Sequence, residues 1–187
     1  MLALWKARCG RPYRAPTLAR FRISPERSEL WAEARSSLHP VRVHTTGLEG
    51  VVEAESSEGT GPPRLGTPTY VEVETQRLRS GNGLVDGELQ RRLESRRFPR
   101  IRGELTRSTI RNGVGMSRLT GELTLHGVTR TLDVEVTVRQ LDPRTLEIEG
   151  GRTIDMRDFG LPPPSFLMFK MQPEVLIRAR LVAEREG

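Results

Sequence analysis

Between Leu119 and Arg139 the chain alternates apolar and polar residues with period two on both sides of a glycine-bearing turn. Leu119, Leu123 and Leu125 interleave with Thr120, Glu122, Thr124 and His126; beyond His126-Gly127-Val128, Leu132, Val134, Val136 and Val138 interleave with Asp133, Glu135, Thr137 and Arg139. Successive side chains of a strand point to opposite faces, so this pattern is a β-hairpin with one apolar and one wet face. A hairpin alone cannot bury that face. Other strands must complete the core, and the functional question is what the apolar face encloses.

The rest of the chain reads in the same way. Residues 1–20 are basic and aperiodic, a tail ahead of a domain over 21–187. Leu30, Ala32 and Ala34 alternate with Trp31, Glu33 and Arg35; strands follow at Val41–Thr45, Gly47–Glu55 and Thr69–Glu74, with Ser56–Pro68 a Gly/Ser/Pro-rich loop. Leu84–Arg97 is the single helix expected: Leu84, Val85, Leu89 and Leu93 fall at helical spacing, Asp86 is placed to cap, and Pro99 follows. Strand patterning returns at Ile101, Gly103 and Leu105, at Ile110–Gly115, in the opening hairpin, at Thr145–Ile154, at Phe166–Met171 and at Glu174–Ala183, with Asp155–Ser165 a loop. Eight or nine short strands with one helix exclude a parallel α/β fold and leave a barrel or a sandwich. A barrel of about eight strands is either just filled by side chains or holds one small ligand. Inward Ala32, Ala34, Ala54, Gly103, Gly121 and Ala179, with aromatics at only 5%, favour the unfilled case.

Composition narrows the function classes. The formal charge of +6 comes almost entirely from arginine, since only Lys6 and Lys170 are lysines. Net charge of this kind speaks to non-specific attraction, and a basic nucleic-acid module is the weakest of the readings considered. Cys9 is the sole cysteine, and His39, His44 and His126 show no metal-ligand spacing, so no metal is expected. No apolar run approaches the ~20 residues of a membrane span. The five apolar residues ahead of Lys6 are fewer than the ~7–15 of a secretory signal, which makes cytoplasmic the expected location. His126 beside Gly127 reads as a turn histidine bonding backbone. Ser28, Ser117 and Ser165 lack a neighbouring base motif, so no catalytic residue is assigned.

Four segments, in order over residues 21–183, resemble the YceI-like polyisoprenoid-binding proteins. They are Phe21–Trp31 (FRISPERSELW), Leu84–Ile101 (LVDGELQRRLESRRFPRI), Leu119–Thr131 (LTGELTLHGVTRT) and Ile154–Leu161 (IDMRDFGL). Ser24 and Arg27 depart from the Asp and His usual in the first segment, and Pro162–Pro164 replaces a Thr-Trp-like stretch. The resemblance implies an all-β, extended antiparallel lipocalin-like barrel of about eight strands with one short lid helix. It also implies an isoprenoid or prenylquinone held in the lumen, no catalytic residues, and dimers as a common state.

On that reading the lumen is lined by Leu30, Ala32, Leu105, Leu123, Leu125, Leu132, Val134, Val136, Val175 and Ile177. Leu89 and Leu93 of the lid helix, with Phe98, Phe159, Phe166 and Phe169, gate the mouth, and Arg157 and Asp158 are candidates for head-group contact. The arginines of the helix and Arg100, Arg102 and Arg107 form a solvated face able to meet an anionic membrane surface transiently. The rival from another class is a small-barrel enzyme of cyclase or isomerase type, using Asp155, Arg157 or Asp158 on a hydrophobic substrate in the same cavity.

Overall fold

The hairpin alternation is realised in strands β7 (Met116–Leu125) and β8 (Val128–Asp142) of a computed structural model, which describes residues 18–37, 39–55, 63–111, 116–163, 165–166 and 169–187. Its two-residue turn places His126 and Gly127 at φ 52° and 73°. Both values are left-handed, the geometry that matches the twist of the flanking strands. The remaining elements are β1 (Leu18–Ile23), β2 (Glu29–Ser36), β3 (Val41–Thr46), β4 (Glu49–Glu55), β5 (Arg64–Glu74), α1 (Gly83–Arg92), β6 (Arg100–Arg111), β9 (Thr145–Asp155), β10 (Ser165–Phe166) and β11 (Phe169–Arg185).

Hydrogen-bonded neighbours run β1-β4-β5-β6-β7-β8-β9-β11, and β11 returns to β1 through Phe21↔Arg185 and Ile23↔Ala183, closing an eight-stranded antiparallel barrel. Closure leaves those strands without an open edge, except where the β8–β9 ladder stops at Glu135↔Gly151. β2 continues β1 along β11, and β3 lies beside β2, so the β1–β2 and β3–β4 stretches are two long rails, each interrupted once. The interruptions face one another. In the first, Ser28 is fully buried: its hydroxyl donates to the Val182 carbonyl (3.3 Å) and accepts from the Val182 amide (3.0 Å), substituting for the ladder bonds that the Ser24–Arg27 turn removes. In the second, Gly47 at φ 79° donates its amide to the Pro25 carbonyl, and a Cβ there would collide with the Arg77 guanidinium. Only glycine suits both demands.

Several boundaries differ from the sequence reading. β1 begins at Leu18, inside the stretch assigned to the tail, because Leu18–Arg22 pair with Val51–Glu55 of β4. β5 begins at Arg64, inside the expected loop. β6 is one strand whose pattern is broken by a bulge between Leu105 and Arg107. The last two expected strands are one, with a register shift between Met171 and Val175. Helix α1 ends at Arg92, and Glu94 turns left-handed at φ 44°. Its N-cap is Asn82, whose side chain accepts from the Leu84 and Val85 amides, whereas Asp86 instead binds the amide and hydroxyl of Ser80. The expected loop after Asp155 contains a 3₁₀ turn at Met156–Phe159, capped by the Asp155 carboxylate. Residues 1–17, 56–62 and 112–115 lie outside the described residues, as do the side chains of Phe166 and Phe169.

Candidate functional site

Strand register sorts the side chains into an inner and an outer face. Ala179 pairs with Leu30 on one side and Gly150 on the other, Gly150 pairs with Val136, and Val136 pairs with Ser117. One level nearer the helix, Ile177 pairs with Ala32, which pairs with Val43. The inner face is sealed at both ends. Away from the helix, Phe21, Ile23, Val52, Ala54, Val138, Leu146, Ile148 and Ala183 form one buried cluster. Under the helix, Val43, Leu78, Leu93, Leu125, Ile154, Phe159 and Leu161 form a second.

Between these plugs the inward apolar residues are only half-buried. Leu30, Ala32, Leu105, Leu119, Leu123, Leu132, Val134, Ile177 and Ala179 all face inward without being packed from view. These partly buried residues, Ala179 aside, pack against the two clusters and are the part of the inner face least sealed from view. Of the residues expected to line the lumen, Leu30, Ala32, Leu105, Leu123, Leu132, Val134 and Ile177 lie along this stretch, and half-buried Val175 lies on the same face of β11 nearer the helix. Leu125 and Val136 are 5% and 6% exposed and belong to the plugs.

The small inward residues divide by cause. A Cβ on Gly103 would meet only a Val71 methyl group, at 3.5 Å, so this glycine leaves room. Gly121 faces the β6 bulge and its Cβ would lie 2.5 Å from the Glu104 carbonyl, so here glycine permits close backbone approach. Gly150 is likewise crowded by Val136 and the Glu135 carbonyl. Ala54 is sealed at 1% exposure, whereas Ala32, Ala34 and Ala179 are half-buried. Two buried hydroxyls on the inner face, those of Ser108 and Ser117 (7% and 1% exposed), have no hydrogen-bond partner.

The helix covers the nearer end. Leu93 is buried and Leu89 packs against the same cluster, while Leu84 is 87% exposed and no residue of α1 itself is buried. Gln90 donates to the Thr75 and Leu78 carbonyls, and Arg92 donates to the Pro162 carbonyl. Sequence reasoning missed the contact that joins helix to hairpin: His126 Nε2 lies 3.2 Å from Glu94 Oε1, with Nδ1 3.3 Å from the Phe159 carbonyl oxygen. The bond to His126 is the main reason the Glu94 carboxyl is held below its ordinary range. Phe98 stacks edge-on against the same imidazole at 4.7 Å, and Phe159 is wholly buried below it.

Arg157 and Asp158 lie in the 3₁₀ turn, and the Arg157 guanidinium is engaged by both Asp155 oxygens, which lowers the Asp155 pKa. The basic face is similarly neutralised: Arg91 pairs with Glu88, Arg97 with Glu94, and Arg100 and Arg102 with Glu72. An open groove of about 1340 Å³ is lined mainly by outward residues, among them Trp31, Arg42, His44, Arg178 and Arg180, and its charges of both signs include the Arg42–Glu33 pair. Among the described residues no group of His, Cys, Asp or Glu could hold a metal, and no helix is long and apolar enough to cross a membrane.

The closed eight-stranded antiparallel barrel, with an apolar inner face and a helix over one end, defines a class of small β-barrel proteins. Residues 21–183 match the YceI-like domain, and the chain belongs to that family. Its fold is similar to that of BcnA from Burkholderia cenocepacia (TM-score 0.70, 16% identity, 86% of this chain and 98% of that one). It is also similar to a polyisoprenoid binding domain from Saccharophagus degradans implicated in plant cell wall breakdown (TM-score 0.69, 14% identity, 91% and 100%). A third similar structure is the YceI protein of Campylobacter jejuni (TM-score 0.63, 14% identity, 79% and 86%). No curated protein matches the chain.

Proposed function

We propose that the protein is a non-enzymatic carrier or sequestering protein that holds a long isoprenoid chain, as a polyprenyl lipid or a prenylated quinone, between the two plugs of the barrel. The observation that carries this reading is the run of inward but half-buried apolar residues from Leu30 to Ile177, which gives a flexible hydrocarbon an apolar wall. Family membership and the polyisoprenoid-binding neighbour support it. Burial of such a chain contributes about 25 cal/mol for each Å² of apolar surface removed from water, so tight binding needs few polar contacts. Asp155 and Arg157, on which an enzymatic reading would rest, spend their charges on each other. Ligand exchange requires α1 to lift, which its unburied seating and few tethers favour.

Calorimetric titration of delipidated protein with a long-chain prenylquinone tests the reading. One saturable site, lost when Ala32 is enlarged to Leu, supports it; no heat of binding in a folded barrel contradicts it.

A further inference from the structure

The buried hydroxyls of the barrel fall into two groups. Ser28, Thr45 and Thr75 each donate to a backbone carbonyl, of Val182, Thr46 and Phe98 respectively. Ser108 and Ser117 are buried as well, yet neither hydroxyl has a partner. Taking a hydroxyl out of water without a compensating hydrogen bond is unfavourable, and most buried side-chain polar atoms are bonded. Two exceptions on adjacent strands point to the space that they face.

Register brings the two together. Ser108 of β6 pairs with Leu119 of β7, and Ser117 stands two residues before Leu119, opposite Ile110. Paired residues of an antiparallel ladder share a face, so both serines lie on the inner face with Leu119 and Val136. They are diagonal neighbours, with backbones about 7–8 Å apart and side chains closer. Two hydroxyls donating to one shared oxygen, each at about 2.8 Å, stand at most about 5.6 Å apart, a span that this diagonal allows.

Their depth in the barrel is equally defined. Leu119 and its partner Val134 belong to the half-buried stretch, whereas Val136, the partner of Ser117, belongs to the sealed cluster away from the helix. The serines therefore sit where the half-buried wall meets the plug, at the far end from α1. The residues in register with Ser117 around the wall, Val136, Gly150, Ala179 and Leu30, are uncharged. An ionised group would lose its hydration there with no counter-charge in that row. A carbonyl oxygen meets the demand: it is neutral, and its two lone pairs accept from both serines.

We propose that Ser108 and Ser117 form a neutral-oxygen subsite at the floor of the lumen, where they donate to the carbonyl oxygen of a lipid and select carbonyl-bearing isoprenoids over bare hydrocarbons. This rests on the carrier reading and adds to it a polar determinant at the end of the barrel opposite the helix.

The test is competitive loading. The delipidated full chain is incubated with phosphatidylcholine vesicles carrying equal amounts of geranylgeranylacetone, a prenyl ketone, and the hydrocarbon of the same carbon skeleton, and the bound lipids are quantified by mass spectrometry. The ketone should be enriched about tenfold or more over the hydrocarbon, and combining Ser108→Ala with Ser117→Ala should return the ratio to near that of the vesicles. Each single substitution should lower the enrichment part-way, which keeps the test open should the double variant fail to fold. The infrared carbonyl stretch of the bound ketone is a readout that altered packing alone would not move: it should lie at lower frequency in the parent than in the variants. Equal uptake of the two lipids by the parent, or an enrichment and a carbonyl stretch that survive the substitutions, overturns the subsite and leaves the carrier reading standing. If a folded barrel takes up neither lipid, the carrier reading fails and the subsite with it.

Discussion

His126 and Glu94 meet at 3.2 Å across the junction of hairpin and helix, and both hold left-handed backbone conformations to do so. Each ring nitrogen of His126 faces an acceptor, Glu94 on one side and the Phe159 carbonyl on the other. The imidazole thereby ties together three separate pieces of the covered end: the residue after α1, the β7–β8 turn and the 3₁₀ turn. Substituting Asn for His126 keeps a residue tolerant of positive φ but removes both bonds. Hydrogen exchange should then quicken in residues 84–93 while the β6–β7 ladder stays protected. Equal acceleration throughout the barrel would contradict a local tether.

Acid should loosen the same junction. Because the folded-state pKa of Glu94 lies below its ordinary value of 4.5, chiefly through the bond from His126, its contribution is complete above that value and disappears as pH falls through the lowered one. Exchange in the helix should rise below about pH 4.5, and Glu94→Gln should flatten that rise. A variant with the same acid profile as the parent would show that other groups govern it.

Two inward alanines differ in burial and so test the carrier reading. Ala54 is 1% exposed among packed neighbours, so Ala54→Leu should cost about 1–3 kcal/mol through overpacking. Ala32 faces the half-buried stretch, so Ala32→Leu should leave stability nearly unchanged and reduce lipid uptake. Chemical denaturation of both variants checks the contrast, and comparable destabilisation would contradict a hollow centre.

Ser117 lies buried on the inner face without a hydrogen-bond partner. Ser117→Ala therefore removes an unsatisfied hydroxyl and should be neutral or stabilising, by up to about 1 kcal/mol in thermal or chemical unfolding. A clear loss of stability would reveal a bond that the structure does not contain.

Much of this architecture could be read from residue order, for identifiable reasons. Period-two alternation in Leu119–Arg139 depends on local geometry, and it placed Leu123, Leu132 and Val134 on the inner face without knowledge of their partners. Breaks in pattern were harder. The bulge after Leu105 looked like the end of a strand, and the Met171–Val175 shift split β11 in two, because one extra residue reverses which face a side chain occupies. Glycine was ambiguous for a related reason: Gly103 makes space while Gly121 makes way for backbone, and only the opposing strand decides which. The Glu94–His126 tether could not be read at all, since it depends on elements brought together by the closed ring.

Mass spectrometry of the organic extract from protein purified without detergent tests the central claim most directly. The account predicts one lipid of polyprenyl repeat per folded chain, displaced when Ala32 is enlarged to Leu. A barrel that comes away empty, and stays empty after incubation with prenylquinone or prenyl diphosphate, would contradict it.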